Sequence, residues 1–105
     1  MRIISEDRLM KIITTGVAGT MESSDIIVTI EPKDTPGIEL TLESDVMTQY
    51  GNQIKNAILE TLAGLDIDSA FVSAVDKGAL DCTVAARTAA AAYRAADCKE
   101  YDWSK

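Results

Sequence analysis

A chain of 105 residues, with 47% apolar and 26% charged side chains, is long enough for one modest core and is expected to fold as a single ordered domain. Seventeen acidic against ten basic residues give a net charge of −7, which repels nucleic acid and anionic lipid, so neither is expected as a partner. Histidine is absent, which removes the Ser-His and Cys-His pairs, the common zinc sets and the usual base at neutral pH.

Residues 1–11 carry five charged side chains and read as a flexible N-terminal extension. Met10, followed by Lys11-Ile12-Ile13, would serve equally well as a chain start. Acidic residues interrupt the N-terminus before any apolar signal core forms, and no stretch reaches the roughly 18 consecutive apolar residues of a membrane span, so a cytoplasmic protein is expected. Cys82 and Cys98 lack CxxC spacing and are expected to be reduced.

From Ile12 to Met21 the residues are small or β-branched, and Gly16 and Gly19 make this first strand irregular. Ile26–Ile30 is a better strand, with Ile26, Val28 and Ile30 on one face. Between the two lies Glu22-Ser23-Ser24-Asp25, a polar tetrad with the composition of a tight turn and with hydroxyls that another protein can reach. Residues 31–37 hold both prolines and form a loop, and Ile38–Leu42 alternates as a half-buried strand. Short connections favour pairing between neighbours and predict an antiparallel meander.

Ser44 reads as an N-cap and Asp45 as a charge favourable to the helix dipole. The spacing of Met47, Tyr50, Ile54, Ile58, Leu62 and Leu65 predicts a helix with one buried face, ending in an αL cap at Gly64. Ala70–Val75 is a fourth strand, and Asp76-Lys77-Gly78 turns the chain. A last, alanine-rich helix from about Ala79 to Ala96 places Leu80, Val84, Thr88, Ala91 and Ala95 on one face. The tail, 97–105, is polar but contains Tyr101 and Trp103. The fold class is α+β: a small antiparallel sheet of about four strands with two helices packed on one face.

Catalytic readings are weak. Glu22 and Asp25 read as charges that keep an exposed turn soluble, and they would push any phosphodiester on the tip outward, toward a mobile, extended arm. The tip is expected to have no nearby basic residue and so to be a poor cradle for a phosphate, and Gly16-Val17-Ala18-Gly19 has neither the length nor the lysine of a phosphate loop. Asp76 and Asp81 read as a turn followed by a helix cap. Arg87 and Arg94 share a side of the last helix, as a solvated face or as contacts to an acidic partner or a phosphate.

Two segments carry a family resemblance. Val17-Ala18-Gly19-Thr20-Met21-Glu22-Ser23-Ser24-Asp25 and Asp76-Lys77-Gly78-Ala79-Leu80-Asp81-Cys82 resemble the citrate lyase acyl carrier protein family, as do Ser44-Asp45-Val46 and Gln49-Tyr50-Gly51. The resemblance implies that Ser23 is the covalent attachment site of a 2'-(5''-phosphoribosyl)-3'-dephospho-CoA group, and that Ser24 stands where glycine is also seen. It implies a non-catalytic carrier with no metal, whose arm holds acetyl and citryl thioesters. It also implies a citrate lyase alpha chain that exchanges the acyl groups, a beta chain that cleaves citryl thioester to oxaloacetate, and a prosthetic-group transferase that loads the arm. The carrier subunit of malonate decarboxylase is similar and is the nearest alternative, with the segment from Asp76 to Cys82 favouring citrate lyase. An unmodified protein-binding module is the alternative from another class, and a free-standing enzyme relying on Lys77 or a carboxylate base comes last. Asp68-Ser69-Ala70 partly resembles the anchor of fatty-acid-type carriers, but it leads into a strand-like run, and that match is rejected.

Overall fold

Alternation along residues 26–31 builds the strand on which the sheet depends: Ile26, Val28 and Ile30 are fully buried, while Ile27 and Thr29 on the other face are partly exposed. The structure, a computed structural model, describes residues 11–44 and 47–96. The start at Met10, nearly all of the expected N-terminal extension, Asp45, Cys98 and the tail with Tyr101 and Trp103 lie outside the described residues. The elements run β1 (Gly16–Ala18), β2 (Ile26–Glu31), β3 (Gly37–Ser44), α1 (Met47–Gly64), β4 (Ser69–Asp76) and α2 (Asp81–Ala95).

The α+β class is as expected, but the sheet is mixed rather than an antiparallel meander. Its order is β1-β2-β4-β3, with β2 antiparallel to both β1 and β4, and β3 parallel to β4. Helix α1 is the cause. Its 18 residues carry the chain from the end of β3 back to the level where β3 began, so β4 sets out in the same direction as β3. β4 then takes the place between β2 and β3 that a meander would have closed by direct pairing.

One face of the sheet carries the core. Ile26, Val28 and Ile30 of β2 and Ala70, Val72 and Ala74 of β4 meet Ile54, Ile58 and Leu62 of α1 and Val84, Ala91, Ala92 and Ala95 of α2. Leu80, assigned by spacing to the buried face, is instead the N-cap position of α2 and 71% exposed. Tyr50 likewise projects at the edge, 49% exposed. Gly16 explains the alanine content of α2: a Cβ on it would run into the backbone of Ala91 and Ala95, so β1 and α2 approach closely only because both present small residues.

Ser44 ends β3 and donates its hydroxyl hydrogen to Asp76 Oδ2 at 2.8 Å; residues 45–46, across which it would cap the helix, lie outside the described residues. The far end of α1 differs from expectation. The left-handed residue at the far end is Asp66 (φ 61°), two positions beyond Gly64. Asp66 N–H bonds to Ala63 O and Ile67 N–H to Leu62 O, the paired bonds of a Schellman ending, with Ile67 and Leu62 both buried. The apolar contact therefore fixes where the helix stops.

Candidate functional site

The connection from β1 to β2, residues 19–25, forms the tip that holds both candidate serines. Gly19 has a φ of +106°, and a Cβ there would strike the Ile26 carbonyl, so the chain reverses where only glycine fits. Asp25 N–H then bonds to Glu22 O at 3.2 Å and closes a four-residue turn around Ser23 and Ser24. Ser24 takes a positive φ of 66° and Ser23 does not, the sign pattern of a type II turn, whose third position favours glycine. Ser23 and Ser24 are both exposed, and among the described residues neither hydroxyl has a hydrogen-bond partner.

The turn itself is firmly held. Ser24 N–H donates to Lys77 O at 2.7 Å, and Lys77 N–H donates to Asp25 O at 2.8 Å. These two bonds carry the β2–β4 ladder one step past the Ile26–Asp76 pair. They also join the tip to the loop between β4 and α2. That loop is organised by Asp76, which is fully buried: its Oδ2 accepts from Ser44 Oγ and from Gly78 N–H at 3.0 Å, and its Oδ1 accepts from Ala79 N–H at 2.9 Å. Asp76 thus makes the expected turn, but no side chain caps α2. Asp81 lies in the first turn of α2 and accepts from Gln53 Nε2 at 3.1 Å.

Asp25 is not a solubilising charge on the tip, which corrects the reading from composition. It is 9% exposed and held by Arg87 in a bidentate pair, Nε to Oδ1 at 3.0 Å and Nη2 to Oδ2 at 2.8 Å. Thr20 Oγ1 donates to Oδ2 at 2.6 Å, and Ile26 N–H donates to Oδ1 at 2.7 Å. The Arg87 hydrogen bonds, then those from Thr20 and Ile26, outweigh desolvation and hold the carboxyl well below the usual carboxylate range. The same pairing raises the Arg87 pKa above its ordinary value.

Arg94 Nη1 donates to Val17 O at 2.6 Å. The two arginines, left open between a solvated face and an external partner, both turn to the chain's own hairpin. They bind β1 and the tip onto α2. The expectation that no basic residue lies near the tip fails for the same reason: Arg87 follows Asp25 by 62 positions, and no local pattern reports that contact. A helical spacing of two arginines on α2 was the only trace of it.

Ser69, in the rejected fatty-acid-type match, starts β4 and donates its hydroxyl to Lys33 O at 3.1 Å. It opens a strand, not a helix. Cys82 is a free, exposed thiol. Among the described residues no cluster of three or more histidine, cysteine or carboxylate side chains could hold a metal ion, and no helix is long and apolar enough to cross a membrane.

Comparison with known proteins bears on what such a tip is for. A family model described as malonate decarboxylase delta subunit matches residues 13–95. The chain is 54% identical over 96 residues to the citrate lyase acyl carrier protein of Streptococcus mutans, covering 91% of this chain and 94% of the relative. It is 51% identical, with the same coverage, to the citrate lyase acyl carrier protein of Streptococcus pyogenes serotype M5. Its fold resembles a chain in the crystal structure of a Pseudomonas malonate decarboxylase hetero-tetramer in complex with malonate, with a TM-score of 0.67 over 82% of this chain and 88% of that one, at 14% identity. A pinned turn offering free hydroxyls, in a chain this similar to those carriers, leads to one conclusion: the chain belongs to the citrate lyase acyl carrier protein family.

Proposed function

We propose that this protein is the acyl carrier of a citrate lyase complex and that Ser23 bears its covalent 2'-(5''-phosphoribosyl)-3'-dephospho-CoA group. The observation that carries the choice of residue is the turn. Ser23 occupies its second position with an exposed, unpartnered hydroxyl, while Ser24 occupies the left-handed third position and is tied through its backbone to Lys77. A phosphodiester fits at Ser23. The nearest buried carboxylate, Asp25, is already neutralised by Arg87, and the remaining acidic neighbour, Glu22, is exposed and screened by solvent.

When attached, the group supplies a thiol on a long arm, where acyl groups are carried as thioesters to partner active sites. This chain's own residues do no chemistry in that reading. Asp25, Arg87 and the Ser24–Lys77 ladder bonds hold the attachment point at a fixed place on a rigid end of the sheet, so the arm, not the turn, supplies the reach. Catalysis falls to the alpha and beta chains of the complex, and attachment to a dedicated transferase.

Malonate decarboxylase is the second reading, favoured by the description of the matching family model and by the shared fold. The identity of 51–54% to citrate lyase carriers favours the first. Two measurements test the proposal. Intact mass of protein from its native host, compared with protein made in a host lacking the complex, is expected to show the added group. Substrate turnover by the native complex is expected with citrate and not with malonate; malonate turnover without citrate cleavage would favour the second reading.

A further inference from the structure

Three of the hollows on the described surface bear on the arm. One of about 390 Å³ lies on the open sheet face among Thr29, Glu31, Glu39 and Phe71, toward the end away from the tip. A second, about 250 Å³, lies beside the tip and mixes Met21 and Val75 with the polar or charged Glu43, Ser44, Asp76 and Lys77. The third is about 450 Å³ and mostly apolar, lined by Tyr50, Gln53 and Ile54 of α1 and by Gly78, Ala79, Leu80 and Asp81 after β4. Its wall begins at Gly78, directly after Lys77, whose backbone holds Ser24 and Asp25. It is therefore an apolar groove that starts in the loop to which the serine turn is bonded.

We infer that this groove seats the adenine of the covalent arm, an assignment that rests on the carrier reading above. The name of the group sets the order along the tether: the phosphate on Ser23 joins a ribose, and that ribose joins the 2' position of the adenosine. Adenine is thus the first base the arm presents to the protein. Charge then selects the occupant. Asp81 stands at the groove and the chain carries a net −7, so the arm's pyrophosphate and any acyl group bearing carboxylates are repelled. Neutral adenine is not. Tyr50 and Leu80, 49% and 71% exposed, offer a ring and an aliphatic side chain for the base to lie against. Asp81 accepts one hydrogen bond from Gln53 Nε2 and has acceptor capacity left for the exocyclic amine. The seat also accounts for the large apolar side chains left exposed at the groove. The pantetheine and thiol beyond the adenine stay free to reach partners.

Proton NMR of ¹⁵N-labelled protein, loaded and unloaded, with mass spectrometry on the same samples, tests this without any activity measurement. The expected result is nuclear Overhauser contact between the adenine H2 or H8 proton and the Tyr50 ring or Leu80 methyls. Amide shifts at Gln53 and from Gly78 to Asp81 should accompany it. In loaded Tyr50→Ala the contacts to Leu80 should disappear and the loop amides return toward their unloaded positions. A full-mass adduct on Ser23 with shifts confined to residues 22–25 would overturn the adenine seat and leave the carrier reading standing. Natively expressed protein with no adduct would overturn both.

Discussion

Arg87 grips Asp25 from 62 residues away, with two hydrogen bonds of 3.0 and 2.8 Å, and thereby fixes the end of the turn that presents Ser23. The pair joins the tip between β1 and β2 to the last helix, so damage to either residue should loosen the attachment point as well as the fold. Asp25→Asn and Arg87→Met are each expected to lower the melting temperature. The double variant should lose clearly less than the sum of the two, because both singles break the same interaction. Thermal unfolding of the four proteins checks this.

The pH dependence follows from the depressed Asp25 pKa. A carboxyl whose folded pKa lies below its ordinary 3.8 stabilises fully above that value and loses the contribution as pH falls toward the folded pKa. The stability gap between wild type and Asp25→Asn should therefore be constant from about pH 5 to pH 8 and shrink below about pH 4. Denaturant titrations across that range read the gap directly. A gap that widens on acidification would contradict the pairing.

Ser24 is held at a φ of 66°, where a β-carbon is strained. Ser24→Gly is expected to leave attachment at Ser23 intact and to alter stability by no more than about 1 kcal/mol, in the stabilising direction. Ser24→Val should destabilise by about 1–2 kcal/mol. Chemical denaturation gives both values, and mass spectrometry of the loaded variants gives the modification.

Gly16→Val forces a branched side chain against the α2 backbone at Ala91 and Ala95. A cost of about 2–3 kcal/mol is expected, larger than for Gly16→Ala, because the whole strand must lift from the helix. Hydrogen exchange should show the loss first at Ile13 and Thr14, whose amides bond to Ala95 O.

Asp76→Ala removes the acceptor of three hydrogen bonds in a fully buried position. A loss of at least about 2 kcal/mol is expected, since the Gly78 and Ala79 amides and the Ser44 hydroxyl lose their partner. Attachment at Ser23 should also slow, because Lys77 would no longer be held where it bonds the turn. Stability and loading rate measured on one variant separate the two effects.

What the sequence revealed depended on the range of the interaction. Strand β2 and the buried stripe Ile54, Ile58 and Leu62 were legible because periodicity is local and burial follows it. The turn around Ser23 and Ser24 was legible because small polar residues between β-prone runs have few other uses. Strand order was not: pairing of β4 between β2 and β3 is decided by a crossover helix, and short loops alone favoured a meander. The buried state of Asp25 was equally hidden, since a carboxylate in a polar tetrad looks solvated until its cation arrives from α2. Leu80 and Tyr50 fit the apolar spacing, yet both stand near element ends, where the described residues leave them 71% and 49% exposed. Of Ser23 and Ser24, residue chemistry made them equivalent, and the resemblance, not any physical rule, favoured Ser23.

Ser23→Ala removes a hydroxyl that bonds to nothing among the described residues, so stability should change by less than about 0.5 kcal/mol while carriage of the group is lost. The most direct test of the central claim is therefore fragmentation mass spectrometry of the peptide spanning residues 12–33, taken from the native complex. The account predicts a phosphodiester-linked dephospho-CoA derivative on Ser23, absent from the Ser23→Ala protein. Modification found on Ser24, or retained in Ser23→Ala, would contradict it.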